Sequence, residues 1–316
     1  MPSLRHHLDV GEFVLKDGPH PQSARRDAEL LLTHTLKKSR AWLLAHGDEL
    51  LPDDLSMSYT ELLERRRRGE PIQYITGEME FYGLPFRVTP DVLIPRPETE
   101  LLVERVIHLM PLFHPKSEKH FSFRIVRTGS GAKKRREDVD NLEVAGWPPR
   151  VLDVGTGSGA IAVSIAHDWP EAEITAIDLS PAALEVARGN AKRLGFDDCI
   201  RFLHGDLLAP VAGERFEIVV SNPPYVPSGD RATLSVEVRE YEPALALFAG
   251  DDGLDVYRKL IPAAFDALTP GGYLVLEIGY GQSSAITELL ARAGFELIVF
   301  VPDLQEIPRV ACARRP

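Results

Sequence analysis

The run "FEIVVSNPPYVP" places Asn222, Pro223, Pro224 and Tyr225 directly behind an apolar stretch that reads as a buried strand. The Asn222 side chain offers a carbonyl acceptor. The Pro223 backbone carbonyl offers a second one, fixed in direction by two consecutive prolines with restricted φ. Tyr225 adds a flat face against which a planar group can lie. Together these residues read as a rigid clamp for a planar NH2 group. The nitrogen of such a group is a poor nucleophile because its lone pair is delocalised into the adjoining carbonyl. Chemistry on it requires that the lone pair be oriented and both N–H bonds held. The plain alternative is a proline-rich turn that ends a strand and carries an incidental tyrosine.

A second cluster lies upstream in "LDVGTGSGAIAVSIA", a Gly-rich turn between a strand and a helix, where Gly155, Gly157 and Gly159 let the backbone approach a ligand closely. Alone, a G-x-G-x-G turn is shared by nicotinamide, flavin and S-adenosylmethionine proteins. The next apolar run ends in Asp178, about twenty residues on, where a carboxylate can accept hydrogen bonds from both hydroxyls of a ribose. The following one ends in "HGD", placing Asp206 beside the same cleft. Two acids at successive strand ends suit a ribose and an adenine amino group; Asp178 could also cap the helix that begins in "LSPAALEVA". A nicotinamide oxidoreductase would leave "NPPY" without a role and lacks an evident acid or base for hydride transfer.

These residues need strands to carry them. From Arg150 onward "RVLDVG", "AEITAID", "IRFLHGD", "FEIVVSN", "GGYLVLEIG" and "FELIVFV" are short apolar runs with helical stretches between most of them, and "RVACARR" is a weaker seventh. The alternation predicts a doubly wound, mostly parallel sheet. Before it, residues 21–68 show helical spacing, with serine caps expected at the start of "SARRDAELLLTHTL" and of "SMSYTELLERRRRGE". The Arg65–Arg68 run reads as a solvated helix end rather than a binding patch. "PIQYITGEMEFYGLPFRVTPDVLIPRPETE" reads as a hairpin-like connector, and a helix resumes over 101–110. Residues 114–149 break the pattern with Gly-rich and charged sequence and read as an inserted, mobile loop, whose Lys133–Arg136 cluster could touch RNA but reads more readily as solvated charge.

The whole chain of 316 residues is 44% hydrophobic and 26% charged, enough for one large domain and a smaller one. A net charge of -11 argues against broad, nonspecific wrapping of nucleic acid. Two distant cysteines, Cys199 and Cys312, suggest neither a disulfide framework nor a zinc site. The N-terminus lacks an apolar core of signal-peptide length, and no stretch is apolar enough to span a bilayer, so a soluble cytoplasmic protein is expected.

Taken together, "RRRRGEPIQYITGEMEFYGLPFRV", "VLIPRPETELLVE", "VLDVGTGSGAIAVSIA", "AIDLSPAALEVARGNAKRLG", "VSNPPYVP", "EVREYEPALALFAGDDGLDVYR" and "LVLEIGYGQ" resemble a class I S-adenosylmethionine-dependent methyltransferase. More narrowly, the sequence resembles the HemK family of protein-(glutamine-N5) methyltransferases that modify peptide chain release factors. "NPPY" alone also occurs in enzymes that methylate exocyclic amines of nucleic-acid bases. The resemblance implies an α/β fold: a Rossmann-like, seven-stranded methyltransferase domain over 101–316, a helical release-factor-docking domain over 1–75 and a β-hairpin connector over 76–100. It implies S-adenosylmethionine bound by Gly155, Thr156, Gly157, Ser158, Gly159, Asp178, Asp206, Leu207 and Asn222. Asn222, Pro223, Pro224 and Tyr225 would act on the glutamine of a Gly-Gly-Gln tip in class I release factors. Arg96 to Glu100, in "RPETE", would border the active site, with Arg96 and Glu98 toward the substrate, although Glu98 and Glu100 read more readily as structural than as functional. No metal, covalent intermediate, membrane or direct nucleic-acid contact is expected, and the expected form is a monomer. Two rival readings are a base methyltransferase and a noncatalytic module that holds a translation factor. The sequence departs from the family in the longer link over 114–149 and in "DLQEIPRV", where the family's usual version contains glycine.

Overall fold

The structure, a computed structural model, describes residues 1–113 and 148–316. The insertion expected over 114–149, with its basic cluster, lies almost wholly outside the described residues.

The chain opens with five helices: α1 (Leu4–Lys16), α2 (Ala24–Leu36), α3 (Arg40–Ala45), α4 (Asp53–Arg67) and α5 (Ile72–Thr76). They enclose their own apolar centre, including Leu8, Leu31, Leu32, Leu43, Tyr59 and Leu63. Ser3 caps α1 by accepting a hydrogen bond from the His6 amide. Ser23 precedes α2 as expected, although its side chain makes no capping bond. The cap expected at Ser56 is corrected. α4 starts three residues earlier, where Asp53 and Asp54 complement the helix dipole, and Ser56 lies inside the helix with its hydroxyl 2.9 Å from His7 Nε2.

The arginine run divides. Arg65 pairs with Glu70, and Arg67 and Arg68 pair with Glu64, all as exposed helix-end charge. Arg66 departs from the solvated reading: its side chain is buried, 2.7 Å from Asp27, and it also donates to Glu237. A guanidinium can be buried there because carboxylates on two separate elements neutralise it.

β1 (Glu78–Phe81) and β2 (Leu84–Arg87) form an antiparallel hairpin whose two-residue turn is Tyr82-Gly83. Glu100 Oε1 accepts from the Tyr82 amide at 2.8 Å, which holds that turn to the start of α6 (Glu100–Leu109). Glu100 therefore has a structural role.

The remaining elements are β3 (Arg150–Val154), α7 (Ala160–Asp168), β4 (Glu173–Asp178), α8 (Pro181–Leu194), β5 (Ile200–His204), β6 (Phe216–Ser221), α9 (Val236–Tyr241), α10 (Asp255–Ala267), β7 (Leu268–Glu277), α11 (Ser283–Ala293), β8 (Glu296–Pro302) and β9 (Pro308–Arg314). Seven strands form one sheet in the order β5-β4-β3-β6-β7-β9-β8, with β3 to β7 parallel and β9 antiparallel to both of its neighbours. All seven expected strands are present. The run read as weakest, "RVACARR", is interior to the sheet, with Val310, Ala311, Cys312 and Ala313 all buried. Successive side chains enter opposite layers. Val151, Ile218, Val220 and Val275 pack with α6 and α7, while Leu152, Val219, Leu274 and Leu276 pack with α10 and α11. Among the described residues no helix is long and apolar enough to cross a membrane.

The strand order reverses between β3 and β6, so the connections leaving their carboxyl ends run to opposite faces of the sheet and leave a crevice. Both chemical motifs read from the sequence sit at those two ends.

Candidate active site

β3 ends at Val154 and the chain turns through Gly155–Gly159 into α7. A Cβ built on Gly155 or Gly157 would project into open space, and both glycines line a cavity of about 280 Å³. Their positive φ, 76° and 56°, keeps the backbone itself as the cavity wall. Gly159 does not line the cavity; it packs against α8, where a Cβ would lie 3.2 Å from Ala187 Cα. The turn is anchored beneath by Asp153, which the sequence reading passed over. It is fully buried, its Oδ2 accepts from the Thr156 hydroxyl at 2.7 Å, and burial pushes its carboxyl up to about 7.

Asp178 reaches the turn from β4. Its Oδ2 accepts from the Gly157 amide and its Oδ1 from the Ser180 amide, both at 2.8 Å. The alternative in which Asp178 caps the next helix is corrected: Ser180 is the cap of α8, accepting from the Ala183 amide. Asp178 instead ties two strand ends together and lines the cavity with its carboxylate, which burial holds above the usual range. Thr156, Ser158, Asp206 and Leu207 also line the cavity.

β6 delivers Asn222, Pro223 and Pro224 to the opposite wall, and Arg96 borders them. Asn222 Nδ2 donates to Thr99 Oγ1 at 3.2 Å, which leaves the amide oxygen as the end able to accept from a ligand. Arg96 is aimed by Glu242, 2.6 Å away and buried. Glu98 is exposed and outside the cavity lining. Tyr225 also lies outside it. Its ring packs against the α10–α11 layer, and its hydroxyl donates to Glu277 Oε1 at 3.3 Å, so the aromatic wall expected from the sequence is turned into the protein.

The segment beyond β6 is fixed on several sides. The Val226 amide donates to the Leu247 carbonyl and the Ala249 amide to the Val226 carbonyl, which explains why "ALFAG" accompanies "NPPY". Gln282 Nε2 donates to the Tyr225 carbonyl at 3.0 Å. Thr99, within the Arg96–Glu100 stretch expected to border the site, lines the cavity, and Glu277, buried behind it, was missed because it reads as an ordinary strand end in the sequence.

The cavity therefore combines a backbone turn and the Asp178 carboxylate with Asn222, Pro223 and Pro224, and the Asn222 amide oxygen is not engaged by Thr99. Those features fit a nucleoside-bearing methyl donor facing a planar NH2 group.

Comparison with known proteins agrees. Residues 11–77 match the family model described as the PrmC N-terminal domain, and residues 139–239 match the methyltransferase small domain. The chain is 40% identical over 316 residues to the release factor glutamine methyltransferase of Koribacter versatilis, covering 99% of this chain and 96% of that one. It is 41% identical over 297 residues to the enzyme of the same name from Bradyrhizobium diazoefficiens, covering 93% and 89%. Among solved structures, the hMettl16 catalytic domain overlays 83% of this chain and 81% of its own at TM-score 0.52 and 14% identity, a likeness of fold. With relatives at this identity matching nearly end to end, the chain belongs to the release factor glutamine methyltransferase family.

Proposed function

We propose that this protein is an S-adenosylmethionine-dependent methyltransferase acting on the side-chain amide nitrogen of the glutamine in the Gly-Gly-Gln tip of class I peptide chain release factors. The observation that carries the reading is the Asn222–Pro224 clamp placed across one cavity from Gly155–Ser158 and Asp178. Gly155, Gly157 and Asp178 fit the donor, with Asp178 accepting from ribose hydroxyls and Asp206 within the same wall. When bound, S-adenosylmethionine supplies an electrophilic methyl on a sulfonium.

The protein's own contribution is positioning. Asn222 Oδ1 and the Pro223 carbonyl accept the two N–H bonds of the glutamine amide, and Pro224 stops the Pro223 carbonyl from turning away. The nitrogen lone pair is thereby aimed at the donor. With the donor bound, that nitrogen would take the methyl as the methyl–sulfur bond breaks, and its extra proton would pass to solvent. The partly dry cavity favours the loss of sulfonium charge. The helices α1–α5 would dock the release factor, within a division of the chain near 75 and 100, and the working form is a cytoplasmic monomer.

The test is to incubate the protein with labelled S-adenosylmethionine and a release factor, alongside a release factor whose Gly-Gly-Gln glutamine is alanine, and to locate the methyl by mass spectrometry. A methyl on that glutamine, absent from the alanine form, is expected. Label appearing only on added RNA or DNA would replace this reading with base methylation.

One supporting position can be checked separately. Gly253 has φ +73°, and a Cβ there would lie 2.2 Å from the Tyr225 carbonyl oxygen, a backbone atom that can yield only by moving the clamp segment. Gly253→Ala is expected to lower the melting temperature by several degrees and the transfer rate by about tenfold or more. Wild-type rates in this variant would show that the clamp tolerates the shift.

A further inference from the structure

Behind the clamp lies a chain of hydrogen bonds with one direction. Asn222 Nδ2 donates to Thr99 Oγ1 at 3.2 Å, Thr99 Oγ1 donates to Glu277 Oε2 at 2.6 Å, and Tyr225 donates to Glu277 Oε1 at 3.3 Å. Glu277 and Thr99 are 2% and 4% exposed, so these bonds have no competition from bulk water. An ionised carboxylate can only accept, which obliges the Thr99 hydroxyl to donate to it. Thr99 then has only lone pairs to offer Asn222, and the Asn222 amide must present its NH2 inward and its oxygen outward. The productive end of an otherwise ambiguous side-chain amide is thus chosen two residues away from the substrate.

We propose that Thr99 and Glu277 are positioning residues: a relay in which the ionised Glu277 carboxylate, through the Thr99 hydroxyl, holds Asn222 with its amide oxygen toward the acceptor nitrogen. This rests on the amide-methylation reading above. A protonated Glu277 can donate to Thr99 instead. The Thr99 hydroxyl is then released to donate to Asn222, whose amide turns over and presents NH2 to an incoming NH2, an arrangement that cannot bond.

The groups facing Glu277 make this switch accessible. Burial raises its carboxyl to about 7, and Glu98, beside Thr99, adds to the rise; the bonds from Thr99 and Tyr225 and the charge of Arg309 on β9 oppose it. Tyr257 on α10 donates to the Glu277 backbone carbonyl at 2.7 Å and fixes the strand end. Activity should therefore fall as pH drops through the neutral range, because the ionised form is the competent one.

The experiment compares the full chain with Thr99→Val, Thr99→Ser and Glu277→Gln. The first measurement follows the Asn222 side-chain amide of the protein alone by 15N NMR from about pH 5.5 to about pH 8.5. The expected result is a titration near the Glu277 value in the wild type and in Thr99→Ser that is absent from Glu277→Gln. The second measurement is steady-state methylation of a release factor. Thr99→Val should lower kcat by about tenfold or more, with donor affinity and acceptor KM changed less than about threefold. Thr99→Ser should recover to within about threefold of wild type, and Glu277→Gln should lose the acidic limb of the pH profile. A wild-type Asn222 signal that ignores pH overturns the relay. So does a Thr99→Val enzyme with undiminished kcat, or a Thr99→Ser enzyme as poor as Thr99→Val. If Thr99→Val fails to fold, the NMR comparison of wild type with Glu277→Gln decides alone. A Glu277-dependent Asn222 titration in a wild type that leaves release factors unmethylated would uphold the relay and overturn the substrate reading instead.

Discussion

Asn222→Ala is expected to lower kcat for release-factor methylation by about 10²- to 10³-fold while changing S-adenosylmethionine affinity by less than about threefold. The asymmetry follows from where the side chain points. Its nitrogen is already engaged by Thr99 inside the protein, so what alanine removes at the cavity is the oxygen proposed to accept from the substrate amide. Without that acceptor the amide is free to rotate about its stem, and the lone pair is seldom aimed at the methyl. The fold should tolerate the change, because Asn222 is only partly buried and loses a single neutral hydrogen bond of about 1 kcal/mol. Single-turnover transfer and calorimetric titration of the donor separate the two quantities. Equal losses in kcat and donor affinity would mean that Asn222 serves the donor rather than the acceptor.

The second large effect is expected on the other wall. Asp178→Ala should weaken S-adenosylmethionine binding by about 100-fold, with little change in kcat once the donor is saturating. Two losses combine. The acceptor proposed for the ribose disappears, and the Gly157 and Ser180 amides, each 2.8 Å from the carboxylate, lose their charged partner. Hydrogen bonds to ionised groups contribute about 1.5–3 kcal/mol each, so losing one full interaction with the ligand and some order in the turn accounts for that magnitude. Asp178→Asn should fall between the two, since its oxygen can replace one acceptor while its NH2 faces a backbone N–H. Donor titration of both variants checks the order. An alanine variant that binds within about threefold of wild type would remove Asp178 from the donor site.

The difference between these two sites also explains how far each could be read in advance. Asp178 and Asn222 stand at the ends of apolar runs, and the strand that carries each is visible as a local pattern. Strand ends in a doubly wound sheet point to one crevice, so local pattern was enough to bring them together. Thr99 and Glu277 are separated by 178 positions, and nothing near either of them in the chain signals a hydrogen bond between them. Arg66 looked like its neighbours in a run of four arginines, yet it alone turns inward, because Asp27 and Glu237 meet it from two other elements. Tyr225 was read as a wall of the site from its residue type, whereas its orientation depends on Glu277 and on the layer behind it.

The same reasoning applies to "RVACARR". Four apolar residues between arginines form a poor strand by themselves, and a one-dimensional reading ranks them last. Pairing with β7 on one side and β8 on the other buries all four and makes them part of the sheet's interior.

By itself, then, the sequence determined the order of strands and helices, the Gly-rich turn, the acid at the end of β4 and the clamp at the end of β6, because each is set by local periodicity and by backbone restrictions that act over a few residues. Only the tertiary structure decided the rest: the placement of β9 inside the sheet, the inward turn of Arg66 and Tyr225, and the relay from Glu277 through Thr99 that sets the orientation of Asn222. Those features depend on which distant groups share a water-poor interior, where a hydrogen bond has no competitor and a charge must find its partner.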